Sequence, residues 1–141
     1  MAKKYKVTRM RRAINRTASM MARLGKGSSW ELTVTGRRSG EPQTVPVTPV
    51  DLDEARYLVA PYGAVAWVHN IRAAGEATLG RGGSTDRISV TEVDADEAGP
   101  VLAVYFAALQ RIVGAYFDVP KNPTVEDFVA VADSHPVFRV G

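Results

Sequence analysis

Residues Leu32 to Val47, LTVTGRRSGEPQTVPV, decide the fold class of this chain. In the first half, Leu32 and Val34 alternate with threonines, and in the second half Val45 and Val47 share one face, so a period of two residues predicts two β-strands. The segment GRRSGEP between them is rich in turn-forming residues and predicts a β-hairpin. Prolines cannot donate to a strand ladder, so we expect the second strand at a sheet edge or interrupted by bulges.

The rest of the chain predicts further short strands and three helical segments. DLDEA is a polar turn before the strand RYLVAP, and EATL and TDRISVTEV form a hairpin around GRGGS. The predicted helices are GAVAWVHNIRAAG, the segment DADEAGPVLAVYFAALQRIVGAYF, and a short helix that begins after Thr124 with a capping box to Asp127. HPVFRV closes the chain as a strand. This order favours a mainly β, α+β domain or barrel, because neither βαβ alternation nor a GxGxxG motif is present.

Composition excludes several classes of site. The 141 residues are 45% hydrophobic, which suits one domain with a real core. The absence of Cys excludes disulfides and thiolate chemistry, and with two His we expect neither a zinc site nor a Ser-His-Asp triad. We expect no metal; Asp51, Asp53 and Glu54 fit a solvated turn. The nearly apolar run Val101–Leu109 is half of what a membrane span needs, so no transmembrane helix is expected.

The N-terminal segment has a different character from the remainder. Residues 1–26 contain nine Lys and Arg and no acid, whereas the whole chain carries a net charge of only +3. Apolar residues recur at helical spacing, which predicts a basic amphipathic helix ahead of a barrel domain at residues 27–141. Two interpretations stay open, a helix docked on the barrel and peripheral contact with the inner face of the membrane. We expect a cytoplasmic protein, and no nucleic-acid partner because the positive charge is confined to this segment.

The hairpin turn GRRSG has the chemistry of an anion site. Arg37 and Arg38 can pair with phosphate or carboxylate, Ser39 adds a donor, and outward backbone amides can join them. Gly36 and Gly40 would supply positive φ angles. The alternative is a charged, solvated hairpin tip.

The motifs LTVTGRRSGEPQTVPV, VAPYGA and WVHNIRAAG, with the C-terminal HPVFR, resemble the deazaflavin-dependent nitroreductase/quinone reductase family of actinobacteria. The resemblance is strong over about residues 30–93 and looser elsewhere. It implies a split β-barrel of the FMN-binding type with six or seven strands, an N-terminal helix and a C-terminal helical insertion. It also implies that coenzyme F420, less readily FMN, lies in a groove beside the barrel.

The same resemblance assigns the cofactor-binding residues. The turn would meet the phosphate and glutamate tail of the cofactor, the second strand would flank its ring, the loop after VAP would border it, and the helix would complete the groove. These positions are Arg37, Arg38, Ser39, Gly40, Pro46, Val47, Ala60, Tyr62, Gly63, Trp67 and Asn70. For Trp67 the alternative is a core residue, and for Asn70 a hydrogen bond within the helix.

The implied activity is hydride transfer from the reduced deazaflavin to a planar, hydrophobic enone, quinone or nitro compound. Tyr116 is the candidate catalytic proton donor, with a surface tyrosine as the alternative. The chain departs from the family pattern by lacking a Lys in its APYGAVAW loop, and only Tyr105 and Tyr116 with Phe117 stand where other members place several tyrosines. Alternative functions are an FMN or haem protein and a non-catalytic lipid carrier near a membrane. The sequence decides neither the physiological substrate nor whether the chain forms a homodimer.

Overall fold

The structure is a computed structural model that describes residues 29–141. The predicted basic helix at residues 1–26 lies outside the described residues. The described part contains seven strands and three α-helices. The strands are β1 Trp30–Thr35, β2 Pro42–Val47, β3 Val50–Leu52, β4 Ala55–Val59, β5 Glu76–Arg81, β6 Ser84–Glu92 and β7 Val137–Val140. The helices are α1 Ala66–Ala74, α2 Ala95–Val113 and α3 Val125–Val131, with 3-10 turns at Gly114–Tyr116 and Ala132–Ser134.

All strand pairs are antiparallel, in the order β2-β1-β5-β6-β7-β4-β3. The sheet curls strongly, because the Arg56 guanidinium of β4 lies 4.7 Å from the ring centre of Trp30 in β1 although three strands separate them in the sheet. The long β6 makes the bend, pairing with β5 through its first half and with β7 through its end. The result is the predicted α+β split barrel, in which β2 forms one edge as its prolines require.

Two cores lie on opposite faces of β4 and β7, since successive residues of a strand point to opposite faces. Leu58 and Phe138 face the barrel core, which α1 closes, and Tyr57, Val59 and Val137 face a second core under α2 and α3. The barrel core comprises Leu32, Val34, Val47, Leu58, Ala60, Val68, Ile71, Ala77, Leu79 and Phe138. Alternating apolar residues of β1 therefore line the barrel as the sequence predicts.

The segment QTVPVTPVDLDEA differs from its prediction. It forms two strands, because β3 pairs Val50–Leu52 with Tyr57–Ala55 of β4, and only Asp53 and Glu54 make the turn, both with positive φ. The polar turn is thus shorter than predicted. The other hairpin is confirmed, with Gly82 and Gly83 at positive φ between β5 and β6.

Local signals begin and end the helices. Gly75 ends α1 in the left-handed conformation, its amide donating to the Ile71 carbonyl. Asp94 caps α2, and Thr124 and Asp127 form the predicted capping box of α3. By length and composition alone, the described segment Ala95–Tyr116 is able to cross a membrane, a test that core helices of water-soluble proteins also pass.

Candidate functional site

The β1–β2 turn is held by short backbone bonds. The Gly36 amide donates to the Glu41 carbonyl at 2.8 Å, and the Gly40 amide donates to the Gly36 carbonyl at 2.9 Å. The Ser39 hydroxyl oxygen accepts from the Glu41 amide at 3.1 Å, which leaves its O–H able to donate elsewhere. These bonds stabilise one turn conformation at the end of two paired strands.

The two glycines of this turn serve different purposes. Gly40 has φ of 72°, as predicted, where a side chain would be strained. Gly36 does not have a positive φ, so that expectation was wrong. A Cβ at Gly36 would lie 2.6 Å from the Ser39 oxygen and 2.9 Å from the Gln43 amide nitrogen. Close approach, not backbone conformation, therefore requires glycine at position 36.

A buried asparagine of α1 connects the helix to the turn. The Asn70 Oδ1 atom accepts from the Arg37 backbone amide at 3.1 Å and from the Arg37 Nη1 atom at 2.7 Å. The Asn70 Nδ2 atom donates to the Gln43 Oε1 atom at 3.4 Å. Asn70 is only 2% exposed, and its partners are on the β1–β2 turn and on β2 instead of within its own helix.

The neighbouring arginine and two backbone amides are available to a ligand. Arg38 is exposed, and within residues 29–141 its side chain has no hydrogen-bond or ion-pair partner. In the same part of the chain, the backbone amides of Arg38 and Ser39 donate to no acceptor. One guanidinium, two consecutive amides and one hydroxyl are the donor set that an oxyanion requires. The residues present thus fit a phosphate or carboxylate group.

The predicted ring-flanking residues come together at the barrel core. Val47 and Ala60 are 7% and 1% exposed, and both belong to the core that α1 closes. Because their side chains face inward, only their backbones are available to a ligand. Pro46 lies one position before Val47, where it pairs with Glu31 of β1 and is half-buried.

Trp67 of α1 packs against this core. Its ring centre lies 5.8 Å from that of Phe138, and the side chain is half-buried. Trp67 is therefore mainly a core residue, and the smaller part of its side chain that is exposed remains accessible to a ligand.

The loop between β4 and α1 is positioned by a buried histidine. The His135 Nδ1 atom lies 2.8 Å from the Pro61 carbonyl, which can only accept, so Nδ1 carries the proton. The His135 ring stacks on Phe117 with centres 3.8 Å apart, and burial lowers the pKa of His135 below its ordinary value. Gly63 in this loop has φ of 90°. The loop thus has a defined conformation beside the barrel.

Three tyrosines converge next to that loop. The rings of Tyr62 and Tyr116 meet edge to face with centres 4.8 Å apart, and Tyr62 also packs against the core under α2. Tyr105 of α2 is buried, and burial with the nearby Tyr62 raises the pKa of its hydroxyl. Tyr116 is 9% exposed, so most of its side chain is buried.

Two other features lie away from this region. A depression of about 540 Å³ at the β3–β4 hairpin has an acidic rim of Asp51, Asp53 and Glu54, which disfavours an anionic ligand. Among residues 29–141, no group of three or more His, Cys, Asp or Glu side chains is arranged to hold a metal ion.

Contacts in the structure therefore connect several of the predicted site residues. The turn with Arg37, Arg38, Ser39 and Gly40 contacts α1 through Asn70, and β2, β4 and α1 share one core. Sequence reasoning missed Gln43, whose only signal was its strand position opposite Val34.

A protein-family model covers most of the chain. The model of the F420H(2)-dependent quinone reductase family matches residues 4–122, which is most of the chain. No curated protein matches the chain significantly.

Solved structures show the same fold at low sequence identity. An F420-H2 dependent reductase named FDR-A is 18% identical with a TM-score of 0.57, covering 81% of this chain and 94% of its own. A domain-swapped dimer is also 18% identical, with a TM-score of 0.58 and coverage of 81% and 80%. A candidate pyridoxamine 5′-phosphate oxidase from Listeria innocua is 9% identical, with a TM-score of 0.54 and coverage of 86% and 89%. The fold is thus the split barrel, and the match over residues 4–122 supplies the identity. The chain belongs to the F420H2-dependent quinone reductase family, so it is an oxidoreductase whose cofactor is coenzyme F420.

Proposed function

We propose that this reductase acts on planar, electron-poor substrates of the enone, quinone or nitro class. Two observations support the proposal: the donor-rich β1–β2 turn contacts α1 through Asn70, and the Tyr62–Tyr116 pair begins in the β4–α1 loop that leads into the same helix. When bound, reduced F420 supplies the hydride. The remaining tasks, which are binding, orientation and proton supply, belong to residues of the chain.

The β1–β2 turn would bind the phosphate and glutamate tail. Arg38 with its own amide and that of Ser39 provides charge-assisted hydrogen bonds to an anion, and the Ser39 hydroxyl can add another. Gly40 keeps the tip free of a side chain. The donors are exposed at the turn, so a long flexible tail can reach them without a buried entry path.

The backbones of β2 and of the β4–α1 loop would border the ring. The side chains of Val47 and Ala60 lie in the core, so the backbone peptide groups of these residues are the atoms that would face the ring. Pro46 cannot donate, and Gly63 has no side chain, so a flat ring can lie close to both. The half-buried Trp67 supports this region from α1.

The tyrosines would form the substrate wall and supply the proton. Tyr62 immediately precedes Gly63, and Tyr116 lies against Tyr62, so the aromatic surface continues from the loop proposed to border the ring. Flat apolar substrates suit such a wall. The Tyr116 hydroxyl is the proposed proton donor, because the nearby His135 already uses its Nδ1 proton at the Pro61 carbonyl.

The test is oxidation of reduced F420 by the purified protein in the presence of menadione, an enone or a nitroaromatic compound. We expect turnover with at least one class, and a loss in kcat on the order of 10²-fold in Tyr116→Phe. Tyr57→Phe is the matched control, since its hydroxyl bonds Glu97 in the first turn of α2, whereas Tyr116 follows the end of that helix. Oxidation with none of the three classes would refute the substrate proposal, and an unchanged kcat in Tyr116→Phe would refute the role of that hydroxyl.

Location and assembly are also proposals. The nine cations of residues 1–26 support a cytoplasmic protein that contacts the inner face of the membrane peripherally. Deleting these residues should then abolish partitioning onto anionic vesicles, and unchanged partitioning would contradict this proposal. The domain-swapped dimer among the structural neighbours supports a homodimer, which sedimentation analysis would test.

A further inference from the structure

We propose that Asn70 is a positioning residue for cofactor binding, acting through Arg37, and that Arg38 is the arginine that meets the anionic tail. The inference rests on the proposed function, since it assumes that the tail binds at the β1–β2 turn. The sequence assigns tail binding to Arg37 and Arg38 alike. In this proposal only Arg38 contacts the tail, and Arg37 instead holds the turn in place.

The contact between Asn70 and Arg37 has the geometry of a clamp. One buried oxygen, Asn70 Oδ1, accepts from both the backbone amide and the side chain of the same residue, at 3.1 and 2.7 Å. This double contact restrains the backbone and the side chain of Arg37 together. The two residues are 33 positions apart, so the clamp joins the turn to a helix of the barrel.

Burial makes this clamp persistent. Asn70 is 2% exposed. If its buried amide oxygen lost its donors, the free-energy cost of removing that oxygen from water would no longer be offset. Its Nδ2 group is also partnered, by Gln43 on β2, so the side chain has bonds at both ends. The helix that carries Asn70 packs on the barrel core through Val68 and Ile71, which are 0% and 1% exposed. A rigid element therefore holds the turn.

The clamp also decides which donors remain for a ligand. The Arg37 amide and Nη1 atom are already used, whereas the next two amides, of Arg38 and Ser39, have no acceptor within residues 29–141. Fixing Arg37 fixes the direction of the peptide that follows it. A turn ordered before binding avoids the entropy that ordering would cost on binding. Asn70 would thereby strengthen tail binding without touching the tail.

A double-mutant cycle separates this role from direct contact. The probes are F420 and the deazaflavin that lacks the phosphate and glutamate tail, with affinity measured by fluorescence titration. We expect Asn70→Ala and Arg37→Ala each to weaken F420 binding by roughly 3- to 10-fold, the equivalent of one hydrogen bond. The double variant should be no weaker than Asn70→Ala alone, because Asn70→Ala already removes both bonds of the clamp, whereas Arg37→Ala removes only the side-chain bond. Binding of the tail-less deazaflavin should not change.

Lysine substitutions give a second test that leaves the core intact, because both arginines are exposed. Lys keeps the charge but lacks the planar fork. Arg38→Lys and Arg37→Lys should each retain part of the affinity for F420 that the Ala variant loses, because the ammonium keeps the charge at position 38 and one donor for Asn70 at position 37. The gain at position 37 should disappear in the Asn70→Ala background, whereas the gain at position 38 should persist there. The control is Arg87→Lys, in an exposed pair with Glu76 on β5 and β6, which should leave affinity unchanged.

The outcomes distinguish the two proposals. Additive losses in the cycle, full affinity in folded Asn70→Ala, or a gain from Arg37→Lys that persists in the Asn70→Ala background would each overturn the clamp. If Arg38→Ala binds F420 and the tail-less deazaflavin with the affinities of the unmodified protein, the tail does not bind at the turn and the proposed site itself fails. Thermal melts of each variant show whether a loss reflects unfolding, and Gln43→Ala, which removes only the 3.4 Å bond, should give a smaller loss than Asn70→Ala.

Discussion

Replacing His135 should separate the contribution of its hydrogen bond from that of its ring. His135→Leu introduces an apolar side chain of similar size. It leaves the Pro61 carbonyl without its donor, which costs about 1–3 kcal/mol in a buried setting. The stack on Phe117 adds about 0.5–1.5 kcal/mol. We therefore expect His135→Leu to lower the free energy of unfolding by about 1.5–4.5 kcal/mol, from the sum of these two effects.

His135→Asn is the matched variant, because its side-chain amide nitrogen can reach the position of Nδ1. It should lose the stack but keep the bond to Pro61, so about 0.5–1.5 kcal/mol should be lost. Urea unfolding with linear extrapolation measures both values. Equal losses in the Leu and Asn variants would refute the importance of the hydrogen bond.

The same histidine gives a signed pH dependence. Burial lowers its folded-state pKa below the unfolded value of about 6.5. Below about pH 6.5 His135 binds a proton in the unfolded chain but not in the folded chain. The free energy of unfolding should therefore fall as the pH is lowered from about 7 to 5. This slope should disappear in His135→Asn and persist in His69→Asn, since His69 is exposed. Stability that rises as pH falls through this window would contradict the argument.

Three further changes test the packing and the turn. Phe128→Ala, at a side chain 1% exposed, should lower the free energy of unfolding by about 3–5 kcal/mol, while Ile112→Ala, at 61% exposure, should change it by less than about 0.5 kcal/mol; urea titration checks both. Gly99→Ala places a Cβ 2.5 Å from Val129, so calorimetry should show a loss of about 1–3 kcal/mol from overpacking between α2 and α3. Gly40→Ala strains a position at φ of 72° by about 1–2 kcal/mol and should weaken F420 binding in titrations; equal affinity would show that the turn conformation does not matter.

The local elements of the fold were predictable because their signals lie within a few residues. The β1–β2 hairpin, the Gly75 end of α1 and the capping box at Thr124 all depend on neighbours in sequence, and all are confirmed. The division of QTVPVTPVDLDEA into two strands was not predictable, because β3 exists only through its pairing with β4.

The sequence by itself determined the alternation that lines the barrel, the edge position of a proline-containing strand, the family motifs and the absence of thiol chemistry. Only the tertiary structure decided that Arg37 is held by Asn70 while Arg38 stays exposed, that Gly36 is required for close approach, and that Tyr116 lies buried against Tyr62. These properties depend on contacts between residues far apart in sequence. Adjacent arginines look equivalent in a sequence, and they become different when folding brings a buried acceptor to one of them.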